Sequence, residues 1–109
     1  MIYNKYDVVT VPFPFTDSSS VKNRPALVLS TEKYQDTSDH CILCMITSAK
    51  HSLWSNDIEI TNLKRAGLKT SSKIRFKLFS LPLNLIIKKI GCLSDAESSK
   101  VKERMKDII

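Results

Sequence analysis

Apolar residues in this chain come in short runs, rich in β-branched and aromatic side chains and broken by polar turns, a spacing that makes strands rather than long helices. Residues 8–15, from Val8 to Phe15, form the first such run. Its two prolines, Pro12 and Pro14, lack backbone donors, so its second half must lie at a sheet edge or leave the sheet. Residues 26–29 and 41–47 are nearly all apolar, the mark of strands buried on both faces. Residues 57–60 alternate polar and apolar, as a half-exposed strand does. In residues 73–81, Lys73, Arg75 and Lys77 alternate with Ile74, Phe76 and Leu78, which sets the three cations on one strand face. A sixth strand is expected at residues 86–90, closed by Gly91. Gly67 ends a short turn or helix over residues 62–66. The chain finishes in a helix: Ser94 caps it, Glu97 completes a capping box, and Val101, Met105 and Ile108 form one apolar stripe. Six short strands and a terminal helix predict a mainly β single domain over residues 1–109, a strongly bent antiparallel sheet or small barrel.

No apolar run approaches the roughly 20 residues of a membrane span, and Asn4, Lys5 and Asp7 interrupt any leader-like start. A cytoplasmic location is therefore expected. Cys41 and Cys44 read as a C-x-x-C pair, but on a strand residues three apart face opposite ways and cannot share an ion. With Cys92 they are expected to be free thiols, and neither metal nor cofactor is expected. The net charge is +6. Between Glu59 and Asp95 there is no acidic residue, while Lys64, Arg65, Lys69, Lys73, Arg75, Lys77, Lys88 and Lys89 all fall there. A one-sign stretch of this kind attracts a polyanion, unless it is simply a solvated face.

In order along the chain, four blocks resemble the MazF/PemK toxin family: residues 7–17 with 23–30, then Met45-Ile46-Thr47-Ser48, then Ala66-Gly67-Leu68 with residues 71–81, and finally residues 88–93. The resemblance implies an SH3-like barrel with a C-terminal helix, usually homodimeric. It implies sequence-selective cleavage of single-stranded RNA and neutralisation by a cognate antitoxin. Arg24, before Pro25, matches the family's catalytic arginine, and Thr47 its catalytic threonine. Ser18, Ser19 and Ser20 lie in the loop that often supplies a serine to the RNA site. Three features depart from the pattern, one being that the loop over residues 16–24 has no glycine where many members carry one or more. Tyr6 stands where the family usually has glycine, and Arg75-Phe76-Lys77 lacks the carboxylate of the Arg-x-Asp pair that some members use.

These residue types suit the chemistry. RNA carries its own nucleophile, so an enzyme has to align the 2′-hydroxyl and stabilise a negatively charged phosphorane. The guanidinium fork of Arg24 matches two phosphate oxygens, and Thr47 adds a neutral donor. Arginine is poorly suited to take a proton; His51, four residues beyond Thr47, and Asp17 are the candidate bases, with His40 less well placed. Lys73, Arg75 and Lys77 are candidates for phosphate contacts. Trp54 could stack a base or plug a dimer seam. Two other readings stand beside this one: a barrel that binds nucleic acid or antitoxin without cutting, and a toxin that poisons a topoisomerase through the terminal helix.

Overall fold

The computed structural model describes residues 1–13 and 22–109. Strands β1 (Asp7–Phe13), β2 (Lys22–Val28), β3 (His40–Ser48), β4 (Ile58–Ile60), β5 (Ser72–Pro82) and β6 (Lys88–Cys92) form one antiparallel sheet in the order β4-β5-β3-β2-β1-β6. Helices α1 (Glu32–Ser38), α2 (Leu63–Ala66) and α3 (Asp95–Ile108) decorate it. Among the described residues, no helix is long and apolar enough to cross a membrane. The second half of the first expected strand, from Pro14 on, lies outside the described residues.

Strand β3 and the apolar second half of β2 sit at the middle of the sheet and feed two separate cores. Leu27, Cys44 and Ile46 pack with Val8, Ile74, Leu93 and Val101 beneath α3. Ala26, Val28, Cys41 and Leu43 pack on the other face with Tyr3, Val9, Val11 and Leu81. Cys41 and Cys44 thus part to opposite faces, as strand geometry requires, and all three cysteines are free. Burial pushes the thiols of Cys41 and Cys44 upward, away from reactive thiolate.

Helix α1 was not anticipated. It has no apolar stripe; Thr31 caps it by accepting from the Tyr34 N–H at 3.1 Å, and Asp39 ends it at φ 56°. What it buries is an amide. Gln35 accepts from the Tyr3 N–H at 2.8 Å and donates to the Tyr3 and Ser30 carbonyls at 2.9 and 3.3 Å, tying down the N-terminal segment. The expected sixth strand is also shifted. Leu83–Leu85 forms a 3-10 turn, and pairing with β1 starts at Lys88.

Outer strands β4 and β6 do not pair with each other; α2 bridges that side of the curled sheet. The chain has two glycines, and both serve this contact. Gly67 holds φ 74° at the end of α2, and a Cβ there would lie 2.0 Å from the Ile90 carbonyl oxygen. A Cβ on Gly91 would lie 2.3 Å from the carbonyl carbon of Ala66. Only hydrogen-sized groups allow backbone to meet backbone here.

Candidate active site on the open half of the sheet

Strand alternation places Arg24 with Ala26, and Thr47 with Met45 and Leu43, on the sheet face opposite α3. Bonded β2–β3 pairing ends at Ala26 opposite Met45; carried two residues further, the same register sets Arg24 against Thr47. On the far side of β3, Met45 faces Arg75, whereas Cys44 faces Leu78, so Phe76 and Lys77 have no counterpart and bulge from β5. One half of this face is covered by its own core. The other half is a cleft of about 300 Å³ lined by Phe13, Arg24, Met45, Thr47, His51, Trp54, Arg75 and Lys77.

Within it, Thr47 Oγ1 and His51 Nδ1 are hydrogen-bonded at 2.6 Å. The exposed Arg24 guanidinium lies 5.9 Å from the centre of the Phe13 ring. Arg75 lies 4.7 Å from the Trp54 ring centre, within cation–π range, and Trp54 remains 47% exposed. Arg75 also donates to both oxygens of Asp57, at 2.9 and 3.3 Å, and to the Ser52 carbonyl. Among the described residues, Arg24 and Lys77 have no acidic partner, so the cleft's open positive charge belongs to them.

The structure therefore gathers Arg24, Thr47, His51, Trp54, Arg75 and Lys77, six residues singled out from the sequence. Lys73 is not among them. It shares the strand face of Arg75, but it is 5% exposed; its ammonium donates to the carbonyls of His51 and Ser52 and lies 3.6 Å from Asp57. Its charge is neutralised inside the protein, because the loop after β3 folds over it. His40 is exposed at the start of β3, outside the cleft, with Nδ1 2.9 Å from the Ser38 carbonyl. Asp17, Ser18, Ser19 and Ser20 lie outside the described residues.

Sequence reasoning passed over Asp57, taking it only as the start of a strand. Its side chain is 1% exposed. Burial alone would raise its pKa, but the Arg75 hydrogen bond, the Trp54 N–H and the charges of Arg75 and Lys73 outweigh burial and hold it below the usual carboxylate range. No local pattern marks such a residue, since Arg75 is eighteen positions further along. Among the described residues, no group of three or more His, Cys, Asp or Glu is placed to hold a metal ion.

The class defined here is a small, mainly β protein: a curled six-stranded sheet with a C-terminal helix, carrying a guanidinium, a hydroxyl and an imidazole in one open cationic cleft. Residues 4–109 match the family model described as PemK-like, MazF-like toxin of type II toxin-antitoxin system, and the chain belongs to that family. Similar solved structures agree on the fold. MazF from Deinococcus radiodurans is 17% identical with a TM-score of 0.76, the alignment covering 99% of this chain and 96% of that one. An endoribonuclease in complex with its cognate antitoxin from Mycobacterial species is 8% identical with a TM-score of 0.75, covering 97% and 91%. Mycobacterium tuberculosis toxin MazF-mt6 is 17% identical with a TM-score of 0.73, covering 93% of each chain. A search of curated protein sequences gives no significant match.

Proposed function

We propose that this chain is an endoribonuclease that cuts single-stranded messenger RNA sequence-selectively, by metal-independent attack of a ribose 2′-hydroxyl. The observation that carries the reading is that Arg24, Thr47 and His51 share one cleft, with threonine and histidine in direct hydrogen bond at 2.6 Å.

That bond supports a division of roles. A threonine hydroxyl has one proton to donate. When Thr47 donates it to a phosphate oxygen, its own oxygen accepts from His51 Nδ1–H, which leaves Nε2 as the bare lone pair. Nε2 then takes the proton of the 2′-hydroxyl. The 2′-oxygen bonds to phosphorus, the bond from phosphorus to the 5′-oxygen breaks, and that oxygen leaves with a proton from water. The products are a 2′,3′-cyclic phosphate and a 5′-hydroxyl. Arg24 spans two non-bridging oxygens and balances the charge that grows on them. Lys77 and Arg75 border the phosphate path. The open face of Trp54 stacks a base, worth roughly 1–3 kcal/mol. Ser18, Ser19 and Ser20 are assigned from the sequence to RNA contact, with Asp17 as the competing base. Some solved relatives were captured with an antitoxin, and we extend that to this chain: an acidic antitoxin segment lies across the cleft and silences it, and the active form is a homodimer.

Purified protein incubated with mixed-sequence RNA in EDTA is expected to shorten it and leave cyclic phosphate ends. Arg24→Ala is expected to fold normally and lose about 100- to 1,000-fold in rate, the effect of removing one transition-state donor. A protein that retards RNA without shortening it would be a binder only. Intact RNA alongside poisoned topoisomerase would move the target to a protein.

A further inference from the structure

We propose that Asp57 is a positioning residue whose carboxylate locks the 49–56 loop onto β5, holding His51 against Thr47 and one face of Trp54 against Arg75. The inference rests on the nuclease reading for what the loop does, but the lock itself stands on contacts alone.

Asp57 sits where the loop rejoins the sheet. Its Oδ2 accepts from the Trp54 N–H at 2.9 Å, closing the loop's far end on itself. The same carboxylate pairs with Arg75 at 2.9 Å and with Lys73 at 3.6 Å, both on β5. Those two cations, held in place by one acid, reach back to the loop's near end: Lys73 donates to the carbonyls of His51 and Ser52, and Arg75 to that of Ser52. Every polar grip between the loop and β5 side chains therefore runs through residues that Asp57 organises. Elsewhere, among the described residues, the loop is held only near its ends, where the Ala49 N–H donates to the Ser71 carbonyl at 3.0 Å and Arg104 donates to the Asn56 carbonyl at 2.9 Å. Between them it buries little, for Leu53 is 77% exposed and residues 49–55 are exposed throughout. Without Asp57, Lys73 and Arg75 would be two like charges side by side with no counter-ion, and they would part.

The loop carries the candidate base and the candidate stacking residue; Asp57 bonds to two residues that line the cleft, Trp54 and Arg75, but does not line it itself and takes no part in the Thr47–His51 bond. Its effect on chemistry is therefore exerted through position. A displacement of about 1 Å in a catalytic group costs on the order of 100-fold in rate.

Trp54 is the chain's one tryptophan, so its emission reports the loop directly. Asp57→Asn keeps the shape and an acceptor for the Trp54 N–H while removing the charge. We expect its tryptophan emission to shift to longer wavelength and become more quenchable by acrylamide. We expect kcat for RNA cleavage to fall by about 10- to 100-fold, with a smaller rise in KM. Asp7→Asn is the control. Asp7 is also buried and pairs with Lys89 at 3.2 Å, on a different part of the sheet, so this variant should lose stability while keeping the wild-type emission and kcat. If Asp57→Asn does not fold, Lys73→Met, which leaves Asp57 paired with Arg75, should show the same spectral change in smaller degree. Unchanged emission and quenching in the folded variants would overturn the lock. Wild-type protein that cuts no RNA would overturn the nuclease reading instead, and the spectra would still decide the lock.

Discussion

Tyr6 holds a left-handed backbone, φ 74°, that costs an L-residue roughly 1–2 kcal/mol. It keeps that conformation because both its peptide groups are bonded to the sheet: its N–H donates to the Val28 carbonyl at 2.8 Å, and its carbonyl accepts from Leu93 at 3.1 Å. The ring adds packing against the core beneath α3, and Lys5 lies 5.5 Å from its centre. These contacts offset the strain. The usual order of alanine over glycine should therefore reverse here. Tyr6→Ala loses the ring and keeps the strain, whereas Tyr6→Gly loses the ring and sheds the strain. Urea unfolding is expected to show Tyr6→Gly more stable than Tyr6→Ala by about 1 kcal/mol; equal midpoints would mean that the backbone carries no strain. This constraint was visible in the sequence, since a tyrosine stands there at a position where the family pattern has glycine.

At the scale of elements, α3 shows how one side chain can fasten three parts of the chain. Glu97 completes the capping box with Ser94, and its other oxygen accepts from the backbone of Thr61 at 2.6 Å and of Asn62 at 3.2 Å, where β4 passes into α2. Burial would raise its pKa, but the backbone N–H groups of Thr61 and Asn62 and the bonds from Ser94 prevail and lower it. A carboxyl whose folded pKa is depressed stabilises the fold above its unfolded value, about 4.3, and that contribution fades as pH falls through the folded value. Glu97→Ala is expected to cost about 3 kcal/mol at neutral pH. Glu97→Gln should flatten the wild-type loss of stability below about pH 4; a variant tracking wild type through that range would show the carboxylate contributes nothing. The capping box could be read directly, because its two members are three residues apart. Helix α1 could not. Residues 32–38 carry no apolar period, and the side chain they bury is Gln35, whose hydrogen bonds run to Tyr3, thirty-two positions away. Lys73 was misplaced for a related reason. Alternation gives its strand face correctly, but not the loop that returns over it.

For the molecule as a whole, the bent sheet was legible as soon as six strand-length runs and a single capped helix were recognised, whereas the pairing of Arg24 with Thr47 was expected only from the resemblance of their blocks to the MazF/PemK family. What stayed hidden is how the open side is spanned. The Gly67–Gly91 contact joins elements far apart in sequence, and each glycine by itself reads only as a turn. Gly91→Ala would drive a methyl into the α2 backbone, with no flexible side chain to yield, and should destabilise the protein by about 3 kcal/mol. A melting temperature within a degree or two of wild type would show that α2 can back away from β6 at little cost.

The cleft is assembled from parts of unequal permanence. Its floor, with Arg24 and Thr47, belongs to central strands anchored by Ala26, Leu27, Val28, Cys41, Leu43, Cys44 and Ile46 in two cores, so the backbone that carries the two side chains is fixed. Its wall, with His51 and Trp54, is an exposed loop fastened by a few polar contacts. On the proposed reading, the groups that would hold the phosphate and those that would take the 2′-hydroxyl proton and stack a base are thereby lodged in separate stretches of chain. Between its anchors, the exposed positions of the loop can change under selection while the scaffold beneath them stays as it is.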